Sequence, residues 1–240
     1  MRLWQAGWLL LGIILVVVLP ISPINKKTVH SNAVVDISWP NCQSFPRTGY
    51  TQGIVGVTGG LDFRPNKCLN AEAAMFSVYQ LYMNTGYPGA GYGRKFQHAP
   101  LTCGPTSYVC LGYNYGYNAA MYALNYASRQ DAHATTWWLD VETDNSWTTN
   151  PNVNIAVLRG AVAAIKQHIF PVTVGYYSYP GQWELLTNNW HNGLPAWVAT
   201  GQTAKTAAVL ACHGTSFTGG PISLAQYTVI LDENVACQSQ

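Results

Sequence analysis

Thr136-Trp137-Trp138-Leu139-Asp140-Val141-Glu142 is an apolar run of strand type that carries two carboxylates two residues apart. Side chains alternate along a strand, so Asp140 and Glu142 share one face while Leu139 and Val141 take the other. At about 3.3 Å rise per residue, their Cα atoms lie roughly 6.6 Å apart. By the same parity Trp138 lies on the acid face but deeper, as packing. Two like charges on one strand face repel and raise the cost of burial, and the chain has only ten acidic residues. Such a pair suits the split pKa values that glycosidic bond cleavage uses.

Around this run, short apolar strands alternate with helix-like segments. The strands are read at Ala33–Ser38, Gly53–Thr58, Tyr79–Asn84, Thr136–Glu142, Val172–Ser178, Ala196–Thr200, weakly near Thr215–Phe217, and at Ile222–Tyr227. Helices are predicted over Asn118–Arg129, Asn154–His168 (N-cap Asn152 or Asn154), Gln182–Trp190 and Thr203–Cys212. Strand–helix alternation implies a parallel sheet. Eight strands over about 205 residues predict an α/β fold of the (β/α)8 TIM-barrel type, a single domain spanning 33–240. The long irregular piece Gly86–Tyr113, rich in Gly, Pro and Tyr, follows strand three and so belongs to the barrel's C-terminal face.

Composition narrows the function classes. Only 9 % of residues are charged against 12 % aromatic, with nine Trp and fifteen Tyr, and the net charge is +2. No cationic cluster exceeds Lys26-Lys27 or Arg94-Lys95. Neither a disordered chain nor a nucleic-acid-binding one fits. Residues 1–23 read as a signal peptide or an N-terminal membrane anchor: Arg2 precedes the apolar stretch Trp8–Leu19, and Pro20 and Pro23 close it. Residues 24–32 are a linker. The protein is therefore expected outside the cytoplasm, secreted or held at the membrane through that segment alone. Six cysteines without zinc spacing agree with export. Their order along the chain suggests Cys42–Cys68, Cys103–Cys110 and Cys212–Cys237, stapling the loops.

Four acids have the address of a barrel active site, the C-terminal strand ends: Asp36 on strand one, Asp140 and Glu142 on strand four, and Asp232 after the last strand. A single Asp there is commonly a cap or loop acceptor; four converging on one face point to chemistry. Asp144 adjoins them. Asp62, Glu72, Asp131 and Glu184 lie in loop or helical contexts that suit solvated or capping roles. Of the aromatics near strand ends (Trp39, Trp138, Tyr176, Tyr177, Trp183, Trp197), Trp39, Tyr177 and Trp183 are the candidate sugar platforms. The six His are scattered, and no zinc-hydrolase, nucleophile-elbow or P-loop motif occurs, so no metal or cofactor is implied.

Asp36-Ile37-Ser38, Asp140-Val141-Glu142 and Gln226-Tyr227 followed by Asp232-Glu233-Asn234 resemble the glycoside hydrolase family 25 fold, the barrel of Chalaropsis-type lysozymes. More closely, the chain is similar to an uncharacterised group of exported bacterial proteins with that barrel. The shared stretches are Tyr82-Met83-Asn84-Thr85, Trp137 to Thr143 with Trp147, Gly175-Tyr176-Tyr177-Ser178 and Ser216-Phe217-Thr218-Gly219-Gly220. The resemblance implies Glu142 as general acid, Asp140 as stabiliser of charge or of an N-acetyl group, and Asp36 and Asp232 as residues tuning the pair. Asn84 and Gln226 join the substrate-binding set. It departs from the family's muramidases where these carry an acid motif ending strand two and an aromatic–His pair on strand three: here stand Val57-Thr58-Gly59-Gly60 and Leu81-Tyr82-Met83-Asn84. The expectation is a monomeric, exported glycosidase acting on peptidoglycan or another N-acetylated cell-wall polysaccharide. The alternative is a non-catalytic carbohydrate- or cell-wall-binding barrel.

Overall fold

The computed structural model describes residues 31–44 and 49–237. The leader and most of the linker lie outside the described residues. Eight strands close a barrel in chain order: β1 Ser31–Ile37, β2 Tyr50–Gly56, β3 Val78–Asn84, β4 Thr136–Asp140, β5 Thr173–Ser178, β6 Ala196–Ala199, β7 Ile222–Thr228 and β8 Asp232–Ala236. Helices α1 (Leu69–Ala73), α2 (Ala90–Gly93), α3 (Tyr108–Arg129), α4 (Pro151–His168), α5 (Pro180–Thr187) and α6 (Lys205–Ala211) fill the connections. The three expected disulfides are formed. Such bridges mark a protein matured outside the reducing cytoplasm. Among the described residues, no helix is long and apolar enough to cross a membrane.

The end of the barrel differs from the sequence reading. Ile222–Thr228 is the seventh strand, Thr215–Phe217 forms no strand, and the eighth is Asp232–Ala236, antiparallel to both β7 and β1. Phe217 is apolar because it packs on Trp183, with ring centroids 5.1 Å apart. Because β8 runs backwards, its first residue rather than its last reaches the C-terminal ends of the other strands. Asp232 thus keeps the expected address by opening a strand instead of following one.

Helix α3 begins at Tyr108, ten residues before the predicted start. Its glycines read as loop formers but serve contact with α4. A Cβ on Gly116 would come within 1.9 Å of the Val157 carbonyl oxygen, and one on Gly160 within 2.0 Å of that of Tyr113. Helix α4 starts at Pro151, capped by Asn150, whose side chain accepts from Asn152 N at 3.0 Å. Pro suits this first position, where no N–H is required.

Two apolar layers follow from strand parity. Outward residues such as Val35, Ile37, Leu81, Met83, Trp137, Leu139, Val174 and Tyr176 join the helices in one large core. Inward residues Val34, Ile54, Trp138, Trp197 and Leu224 fill the barrel itself, with Tyr82 and Tyr177 packed on them. Glycines on the inner wall make room for these rings. A Cβ at Gly175 would stand 2.3 Å from the Trp138 ring, and one at Gly56 would stand 2.8 Å from that of Tyr82.

Candidate functional site

Above that inner layer the same parity turns polar. Asp36, Asn84, Asp140, Tyr177, Gln226 and Asp232 all follow inward positions at the C-terminal mouth. Register brings them side by side: Asn84 pairs with Asp140, Asp140 with Tyr177, and Asp36 with Asp232. Asp36, Tyr82, Asp140, Glu142, Tyr177, Trp197, Gln226 and Asp232 line one cavity of about 120 Å³. The four predicted acids therefore converge. No residue of Gly86–Tyr113 lines this cavity; the part of that segment before α3 is tied to the helix, where Asn114 Nδ2 donates to the carbonyls of Phe96 and Leu101 at 2.7 and 2.6 Å.

Asp140 is buried and held from below. Asn84 Nδ2 donates to its Oδ2, while Asn84 Oδ1 accepts from Thr58 Oγ1 at 2.9 Å and Gly60 N at 3.1 Å. Asp140 Oδ1 receives no donor, and the Glu142 carboxyl is its hydrogen-bonding neighbour. Both acids are raised above their ordinary values, first by burial. For Asp140 the Glu142 charge adds to the rise, and for Glu142 those of Asp144 and Asp232 do.

Glu142 lies just past β4, half-buried at the opening, on a backbone fixed from several directions. Val141 N donates to Tyr177 O at 2.9 Å, and Ser178 Oγ donates to Val141 O at 2.7 Å. Trp147 Nε1 donates to Glu142 O at 2.9 Å, and Thr143 N to Gln182 Oε1 at 2.9 Å. A rigid support of this kind holds a reacting group in place.

Across the mouth, Asp36 accepts from Gln226 Nε2 at 3.1 Å on each oxygen and from Asn234 Nδ2 at 2.6 Å. Its pKa is pushed up to about 8, by burial first and then by the charge of Asp232, against the pull of these donors. Tyr177 Oη donates to Gln226 Oε1 at 2.8 Å, and Trp197 Nε1 to Asn234 Oδ1 at 2.6 Å.

Of the predicted binding residues, Tyr177 and Gln226 line the cavity and Asn84 anchors its Asp. Trp39, just past β1, is 47 % exposed and lines a separate groove rather than this cavity. Trp183 lies elsewhere: it is fully buried outside the barrel, 5.0 Å from Tyr176 between ring centroids and stacked on Trp190. Helix α5, which carries Trp183, turns that residue toward the sheet. Asp144 is exposed near Glu142. Glu72 is not solvated as expected but buried, accepting from Asn66 Nδ2 at 2.7 Å. Tyr82 and Trp197 line the mouth and Asn234 supports it, though the sequence reading placed none of them in the binding set; inward parity with Asn84, Ala199 and Asp232 is the signal that marks them. Among the described residues, no three His, Cys, Asp or Glu side chains group to hold a metal ion.

The model of the Lys-1 family, described as lysozyme-like protein 1, matches residues 54–208. Among solved structures, a muramidase from Trichobolus zukalii superposes with a TM-score of 0.55 at 12 % identity, over 86 % of this chain and 94 % of that one. At that identity the likeness is one of fold. No curated protein matches the chain in sequence.

Proposed function

The chain belongs to the lysozyme-like protein 1 family, and we propose that it is an exported glycoside hydrolase acting on peptidoglycan or another N-acetylated cell-wall glycan. The observation that carries this reading is the convergence of Asp140 and Glu142 with Asp36 and Asp232 in one cavity at the barrel mouth. A folded protein gains nothing structural from two adjoining buried acids, and displaced pKa values of this kind cluster at functional sites. The fold shared with a muramidase supports the substrate class.

Glu142, nearer the opening, gives its proton to the glycosidic oxygen as the bond to the sugar's anomeric carbon breaks. A general acid with a raised pKa keeps that proton near neutrality. Asp140 and Glu142 stand two residues apart at one strand end and line the same cavity, whereas an acid and a carboxylate nucleophile flank a sugar ~5–5.5 Å apart. Both carboxyls thus face the substrate from one side, and Asp140 is not placed for attack from the other. The group that bonds to the anomeric carbon is then the carbonyl oxygen of the sugar's own N-acetyl arm. Asp140, kept partly anionic by the Asn84 donor, orients that arm and stabilises the positive charge it acquires. Water then opens the cyclic intermediate, losing its proton to Glu142. Asp36 and Asp232 hold the sugar's hydroxyls.

One observation favours a binding barrel instead: the cavity is smaller than the ~300–1,000 Å³ usual for ligand pockets. The two readings separate when purified cell walls and a panel of N-acetylated polysaccharides are incubated with wild type and with Glu142→Gln. New reducing ends from wild type alone support hydrolysis and identify the glycan. Retention on a polymer without reducing ends from either protein supports the binding barrel.

A further inference from the structure

We propose that the groove walled by Trp39, Arg64 and Lys67 is a subsite for a carboxylate-bearing sugar unit of the glycan. This rests on the glycosidase reading: the loop that walls the groove also holds Asn84, the partner of Asp140. The groove, about 270 Å³, opens over the ends of β1 and β2, between Trp39 on one side and Gly59, Arg64, Pro65 and Lys67 on the other.

Its aromatic wall is built for contact. Trp39 keeps 47 % of its surface exposed while its indole leans on Gly60, where a Cβ would approach Nε1 to 3.1 Å. Gly60 has φ +83°, a conformation that favours glycine. Arg64 Cζ stands 5.8 Å from the Trp39 ring centroid. An indole face with a guanidinium at its side offers a sugar's C–H face a platform and its carboxylate a forked donor.

The walls are also fixed. The Cys42–Cys68 disulfide ties the turn carrying Trp39 to the segment carrying Lys67. Gly59 N donates to Arg64 O at 2.8 Å, and Thr58 bridges Pro65. The same loop reaches the reacting pair through Asn84, which accepts from Gly60 N and donates to Asp140.

Charge selects the ligand. Neither Arg64 nor Lys67 forms an ion pair among the described residues, whose one such pair joins His133 and Asp131. The two cations give the groove a positive field where the carboxylate would rest.

The test measures binding by calorimetry in the Glu142→Gln background, which prevents turnover. Three tetrasaccharide probes are compared: neutral N-acetylglucosamine, alternating N-acetylglucosamine and glucuronic acid, and alternating N-acetylglucosamine and N-acetylmuramic acid. Their carboxylates sit respectively nowhere, on the ring, and on a lactyl ether. At least one carboxylated probe should bind tenfold or more tighter than the neutral one at low salt, and which one does identifies the source of the carboxylate. Adding Arg64→Gln and Lys67→Gln, both exposed, should erase the difference and its salt dependence while the neutral probe is unaffected. Equal binding of all three probes, binding of no carboxylated probe, or unchanged preference in the double substitution overturns the subsite. Turnover of wild type on neutral glycan with no charge preference would leave the glycosidase standing and remove the subsite. Charge-selective binding with no turnover in wild type would do the reverse.

Discussion

Tyr176 and Tyr177 are neighbours on β5 with opposite fates. Tyr176 points out of the barrel into a cluster with Trp183 and Trp190, and Trp183 in turn packs on Phe217; Tyr176, Trp183 and Phe217 are buried and Trp190 is half-buried. Tyr177 points inward, 4.4 Å from Trp197 between ring centroids, with its hydroxyl on Gln226 and its edge in the acid cavity. Both clusters are aromatic, and both sit near the C-terminal end of the sheet. The inner cluster supports a layer of carboxyls and amides, whereas the outer one supports only itself. An aromatic residue near a strand end is therefore no guide to function until the parity of its strand, or the face of its helix, is known.

Substitutions in the two clusters should separate turnover from stability. The largest effect is expected for Glu142→Gln, which should lower turnover by about 10²–10⁴-fold without lowering the melting temperature, since it replaces a half-buried acid in a crowded acid site by a neutral group of the same shape. Trp183→Ala should do the opposite. It should cost ~3–5 kcal/mol in urea unfolding, as for other large buried aromatics, with residual activity scaling only with the folded fraction.

The buried acids, three of them in the inner region, should also govern the pH dependence of stability. Asp36, Asp62, Glu72, Asp140 and Glu142 are all raised, in each case first by burial. Raised acids bind more protons folded than unfolded, so their contribution is complete below the unfolded values near 4 and is lost as pH climbs through the folded ones, to about 8 for Asp36. Melting temperature should fall between pH 5 and 8.5, and Asp36→Asn should flatten the upper part of that fall. The smallest effect is that of Tyr177→Phe, which loses one hydroxyl donor to Gln226 and should cost about 1 kcal/mol, read by the same unfolding experiment.

Periodicity made most of this barrel legible, because seven strands carry apolar residues on at least one face and four acids mark one end. The last hairpin was hidden for a physical reason. In Asp232-Glu233-Asn234-Val235-Ala236 the inward residues Asp232 and Asn234 serve the mouth, while Glu233 accepts from Tyr50 and Tyr227, so no apolar alternation remains to read. The start of α3 was hidden because Gly112 and Gly116 signal a loop in sequence but a helix contact in three dimensions. The groove under Trp39 was hidden because Arg64 and Lys67 reach that Trp through a loop and a disulfide, neither of which has a period. Trp183 was misplaced by proximity alone, its helix turning it away from the mouth.

The central claim, that Glu142 protonates the departing sugar, is tested most directly by the leaving-group dependence of the Glu142→Gln defect. The variant is compared with wild type on an oligosaccharide of the glycan identified above and on the matching dinitrophenyl glycoside, whose phenolate departs without a proton. The account predicts a loss of about 10²–10⁴-fold on the oligosaccharide and nearly wild-type bond cleavage on the aryl glycoside. An equal loss on both substrates would contradict it.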